Sequence, residues 1–134
     1  MRTTRIAVII AFVLLAGGLY GATWDAKQNK YIISGEEAAF YDAYTCTGKP
    51  ALVMVRNQYQ SNLALLYPPE GGTWNDRISC IQTAENASVR VCTNASLGGS
   101  CKDISGGQTV SLSGDSTYDN KISSIRKPAQ VSGR

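Results

Sequence analysis

The chain has 134 residues, no histidine, and 13 Lys and Arg against 10 Asp and Glu, a formal net charge of +3. That length allows one domain plus an appendage, and the missing histidine removes the usual Ser-His and Cys-His relays, so no enzyme is expected. Without Arg2 and Arg5, which belong to the amino-terminal segment, 13 − 2 = 11 basic residues face 10 acidic ones, and a balance of +1 implies no nucleic-acid or anionic-membrane partner.

In chain order, Arg2 and Arg5 precede an apolar run from Ile6 to Ala16, then Gly17, Gly18 and a short mixed stretch ending at Ala22. This is the outline of a secretory signal over residues 1–22. Cleavage after Gly18 and cleavage after Ala22 both remain open; if the segment is retained it is a short membrane anchor. Either way the remainder is placed outside the cytoplasm, secreted or periplasmic. The four cysteines, Cys46, Cys80, Cys92 and Cys101, all fall in that exported part, where an even count points to two disulfides. Cys92 and Cys101 flank Gly98-Gly99 and are paired with each other, leaving Cys46 with Cys80, although three connectivities exist and the sequence selects none. Zinc is disfavoured by the absence of histidine and of any C-x-x-C.

Residues 23–36 are polar and read as a linker or a first, loosely held strand. From Glu36 on, short β-prone runs are separated by Gly, Pro, Asn and Asp. Strands are expected at Ala39–Tyr44, Ala51–Arg56, Asn62–Tyr67, Arg77–Gln82, Val89–Cys92, Thr109–Leu112 and Ile122–Ile125. Turns are expected at Pro68–Gly72, Gly98-Gly99 and Gly106-Gly107. Glu36, Glu37, Asp42 and Glu70 are expected to be solvated. Residues 127–134 read as a frayed tail.

The most informative feature is a repeat: Trp74-Asn75-Asp76-Arg77-Ile78-Ser79-Cys80-Ile81 returns forty-four positions later as Tyr118-Asp119-Asn120-Lys121-Ile122-Ser123-Ser124-Ile125. Each copy sets hard oxygen ligands beside apolar residues, as a cation site on the rim of a β-sheet needs. Extended outward, Tyr41 with Gly48 parallels Cys92 with Gly99, and Asn62–Leu66 parallels Thr109–Ser113. The halves span about 37–82 and 89–126, the first being longer mainly through Met54–Ser61. Trp74 and Tyr118 are expected to anchor the core rather than form a carbohydrate platform.

Two four-strand halves, each closing on Asn/Asp-Asn/Asp-x-x-Ser-Ser, resemble the βγ-crystallin family over residues 37–126. Asp119-Asn120-Lys121-Ile122-Ser123-Ser124 matches that family's calcium signature throughout, and Asn75-Asp76-Arg77-Ile78-Ser79-Cys80 departs only where Cys80 replaces Ser. The resemblance implies an all-β fold, two Greek keys forming a two-sheet sandwich, and Ca2+ at two sites that each borrow from both halves. The implied ligands are the Ser79 and Ser123 hydroxyls and the Arg77 and Lys121 carbonyls, with Asn75, Asp76, Asp119 and Asn120 completing the shell. The basic side chains of Arg77 and Lys121 should weaken binding. The function expected is therefore an exported calcium-binding module with a structural or binding role. Alternatives are a secreted proteinase inhibitor using Met54–Ser61 as its loop, acting on an extracellular protease, and a membrane-anchored envelope or adhesion module with a surface partner.

Overall fold

Short strands with one apolar face must bury that face against another layer, and the repeat supplies two such layers. The computed structural model describes residues 22–56 and 58–127; apart from Ala22 and Lys127, the expected signal or anchor and the tail lie outside them. The strands are β1 (Thr23–Asp25), β2 (Lys30–Ile32), β3 (Ala38–Tyr41), β4 (Ala51–Met54), β5 (Tyr59–Gln60), β6 (Cys80–Thr83), β7 (Val89–Asn94), β8 (Gly98–Ile104), β9 (Thr109–Ser111) and β10 (Ser124–Arg126). One sheet runs β4-β3-β6-β9 and the other β5-β10-β7-β8. Each therefore takes three strands from one half of the repeat and one from the other, two interlocked Greek keys in a β-sandwich.

Register confirms the duplication. Tyr41 lies opposite Cys80 in the first sheet, and Cys92 lies opposite Ser124 in the second. Gly48 and Gly99, seven residues beyond Tyr41 and Cys92, both have left-handed backbones, φ 83° and 74°, which glycine adopts without steric cost. Between the sheets lie Phe40, Met54, Leu63, Trp74, Ile78, Ile81, Val91, Ile104, Leu112, Ile122 and Ile125, all buried.

The expected strand at Asn62–Tyr67 is instead a 3-10 turn, Leu63–Leu65. Asn62 Oδ1 accepts from the Ala64 N–H at 3.0 Å, a local side-chain cap that competes with pairing. The strand corresponding to β9 is β5: β5 pairs with β10 as β9 pairs with β6. The repeat counterparts are thus Leu63 and Leu112, whose N–H groups donate to the carbonyls of Ser123 and Ser79 at 2.9 and 2.8 Å; the parallel between Asn62–Leu66 and Thr109–Ser113 is offset. Gly98-Gly99 opens β8 rather than forming a turn, because the chain has already reversed over Ala95–Leu97. The described part of Met54–Ser61, the loop that the inhibitor alternative would use, carries β5.

The stretch read as a linker or a first, loosely held strand is a paired hairpin, β1 with β2. Trp24, Tyr31 and Ile33 pack on the outward side of the first sheet, against Ala39, Tyr41, Ala51 and Val53. Tyr31 N–H donates to Tyr41 Oη at 2.9 Å and Gly48 N–H to the Asn29 carbonyl at 2.6 Å. This explains why all four residues of β3 are buried.

Two charged residues are also buried, against expectation: Glu37 is 3% exposed and Lys127 1%. Lys127 belongs to the fold rather than to a tail, its N–H donating to the Gln58 carbonyl at 2.9 Å. Glu37 Oε1 accepts from the Ser34 N–H at 2.8 Å, whereas Glu37 Oε2 and Lys127 Nζ are buried without hydrogen-bond partners among the described residues. Burial pushes the Glu37 carboxyl up and the Lys127 ammonium down, against their mutual attraction. A raised carboxyl contributes stability at low pH that is lost as pH rises; a lowered ammonium contributes stability at high pH that is lost as pH falls. Between the two ordinary values both charges oppose folding. Replacing both residues, as Glu37→Gln with Lys127→Met, should therefore raise stability at neutral pH by about 1–4 kcal/mol in urea unfolding; a net loss would show that the two buried charges favour folding.

Candidate metal centre

The two repeat motifs run through the last turns before β6 and β10 into those strands and face each other. Asp76 and Asn120 occupy the left-handed region at φ 57° and 56°, which short polar side chains tolerate. Their N–H groups cross between the halves: Asp76 donates to the Ile122 carbonyl at 3.0 Å and Asn120 to the Ile78 carbonyl at 3.1 Å. Ile78 and Ile122 are fully buried, so packing holds both carbonyls in place. The side chains cross in the same way. Ser79 Oγ donates to Asn120 Oδ1 at 2.9 Å, and Ser123 Oγ approaches Asp76 Oδ1 at 3.5 Å. Each serine is fixed from behind, Ser79 N–H donating to the Tyr41 carbonyl and Ser123 N–H to that of Cys92, both at 2.9 Å.

Of the sequence-derived candidates, the structure thus joins Asp76 to Ser123 and Asn120 to Ser79 directly. Asn75 and Asp119 precede these pairs in equivalent positions. Asp119 N–H donates to the Asp115 carbonyl at 2.9 Å, while Asp119 Oδ1 is buried without a hydrogen-bond partner among the described residues. Among the described residues no backbone N–H donates to the carbonyl of Arg77 or Lys121. Two unengaged carbonyls, an unpartnered buried carboxylate oxygen and two serine hydroxyls are all oxygen donors, the kind a hard divalent cation takes. No three of His, Cys, Asp and Glu cluster around one point among the described residues. Neutral oxygens therefore make up most of the set.

The Arg77 side chain is turned away from this role. Its Nε donates to Asp42 Oδ2 at 3.1 Å and its Nη1 to the Gly71 carbonyl at 2.6 Å. Asp42, read as a solvated carboxylate, thereby balances the charge expected to weaken one site; the pair joins positions 35 apart in sequence, and no local pattern announces it. Lys121 is exposed and lines a shallow cavity of about 280 Å³ with Gly114, Asp115, Ser116 and Asp119. Asp115 was also missed. Its Oδ1 accepts from Thr117 and Tyr118 N–H at 3.0 and 3.2 Å, a turn legible in Asp-x-Thr. Burial would raise the Asp115 carboxyl, but these N–H groups and Lys102, 3.5 Å away, hold it below the usual carboxylate range.

The one departure from the signature has a structural equivalent. Ser124 Oγ donates to the Asn94 carbonyl at 2.6 Å and accepts from the Leu97 N–H at 3.0 Å, stapling β10 to the β7–β8 turn. Cys80, at the matching register, staples β6 to the β3–β4 loop through its disulfide with Cys46. Cys92 bonds to Cys101 directly across β7 and β8. Both expected pairings are therefore present, and Cys80 leaves the neighbouring Ser79 free to face Asn120.

No family model and no curated protein matches the chain. Solved structures do. A βγ-crystallin from an archaeon is 24% identical, with a TM-score of 0.53, covering 70% of this chain and 99% of its own. A βγ-crystallin domain from Flavobacterium johnsoniae is 24% identical, with a TM-score of 0.52, covering 72% of this chain and 97% of its own. One from Clostridium beijerinckii is 16% identical, with a TM-score of 0.54, covering 69% of this chain and 97% of its own. Matched nearly end to end by such domains, and built from two Greek keys that exchange a strand, the chain has the βγ-crystallin fold.

Proposed function

We propose that this chain is a βγ-crystallin domain that binds calcium between its two repeat motifs, and that it works outside the cytoplasm as a calcium-stabilised module rather than as an enzyme. The observation that carries this reading is the crossed pairing of Asp76 with Ser123 and of Asn120 with Ser79. The holding residues are those four side chains and the carbonyls of Arg77 and Lys121, completed by Asn75 and Asp119. When bound, calcium supplies a double positive charge that ties oxygens of the two halves together. Few of those oxygens are charged, so affinity is expected in the micromolar to millimolar range of extracellular modules. Export rests on the amino-terminal signal pattern and on two disulfides, which persist in oxidising compartments.

The test is thermal unfolding in calcium and in chelator. With free calcium about a hundredfold above the dissociation constant, one filled site adds about 2.7 kcal/mol, and the midpoint should rise by on the order of 10 °C. An unchanged midpoint would count against the proposal.

A further inference from the structure

The outer faces of the two sheets differ. The first is apolar and lies under the β1–β2 hairpin. On the second, four side chains stand in one row across the strands: Tyr59 opposite Arg126, Arg126 opposite Arg90, and Arg90 opposite Asp103. Their chain neighbours Ile125, Val91 and Ile104 point into the core, so this row faces outward, and all four residues are exposed.

Two arginines directly opposite each other on paired strands repel, and the structure relieves only one of them. Arg90 forks onto Asp103, Nε to Oδ1 at 2.7 Å and Nη2 to Oδ2 at 3.0 Å. Among the described residues Arg126 forms no ion pair. The row borders a cavity of about 400 Å³ lined by Ser88, Val89, Arg90, Leu97, Asp103 and Arg126, a volume in the range of small-molecule sites. Among the described residues, two guanidiniums and one carboxylate leave one positive charge at its wall. A single negative charge balances it, whereas a dianion would overshoot and meet Asp103. The planar fork of Arg126 matches a carboxylate, the Ser88 hydroxyl can bond to ligand hydroxyls, and Leu97 offers one apolar wall.

We infer that this cavity binds a singly charged carboxylate carried on a small hydroxylated body, the chemistry of a uronic acid. The inference is independent of the calcium reading. It is tested by following backbone amide NMR signals in chelator while glucuronate, glucose or inorganic phosphate is added to wild type and to Arg126→Gln. Glucuronate should move the signals of Ser88, Arg90, Leu97 and Arg126, bind more tightly than glucose or phosphate, and weaken by roughly tenfold in the variant. Without ligand, Arg126→Gln should melt no lower than wild type, since it removes a repulsion. The inference is overturned if glucuronate leaves those signals in place, if glucose or phosphate binds as well, or if the variant binds like wild type.

Discussion

Removing the Cys46–Cys80 disulfide, as Cys46→Ala with Cys80→Ala, should lower folding stability by about 4 kcal/mol, against about 3 kcal/mol for removing Cys92–Cys101 in the same way. The ordering follows from chain entropy, because the first bond closes a separation of 34 residues and the second only 9. Location reinforces it. Cys46 and Cys80 lie in the small cluster under the β1–β2 hairpin with Tyr41 and Ala39, so losing the bond also loosens the contact between that hairpin and the first sheet. Urea unfolding of the two double variants measures both costs. A larger loss for Cys92–Cys101 would mean that the hairpin and the β3–β4 loop are not held as described.

Trp74→Ala should cost about 3–5 kcal/mol, while Tyr118→Ala at the matching repeat position should cost clearly less. Trp74 is 2% exposed and sits among the buried residues between the sheets; Tyr118 is only partly buried and packs on that core from its edge. Lys102 covers the Tyr118 ring, its Nζ 5.5 Å from the ring centre. The same pair of variants separates a packing role from a carbohydrate platform, since a ring that served as a platform could be removed with little loss of stability. Equal and small losses in urea unfolding would contradict the assignment of Trp74 to the core.

What could be read from the sequence was whatever the repeat made redundant. Trp74–Ile81 and Tyr118–Ile125 specify the same corner twice, so the strands after them, the facing motifs and the buried Ile78 and Ile122 were all legible. The nearness of Cys92 and Cys101 suggested one disulfide and left Cys46 with Cys80, but the sequence did not select that connectivity over the other two; the structure has it. The exchange of β5 and β9 between sheets was not legible, because β5 is only Tyr59–Gln60 and its pairing is set by β10, far along the chain. The strand Gly98–Ile104 was hidden by Gly98-Gly99, which resembles a turn, and by Ser100, Lys102 and Asp103, which suit an exposed face. Burial of Glu37 and Lys127 and the pairing of Arg77 with Asp42 depend on segments brought together only by folding. The covering hairpin is written in Trp24 and Tyr31, but in a stretch whose turn residues Lys27, Gln28 and Asn29, with Lys30 opening β2, are polar and mask the pattern.

Calorimetric titration with calcium, on wild type and on Ser79→Ala with Ser123→Ala, addresses the central claim most directly. Each corner lends a hydroxyl to the other, so wild type should give a saturable binding heat that the double variant largely loses while keeping its folded circular dichroism spectrum. No binding heat in wild type, or the same heat in a folded double variant, would contradict the account.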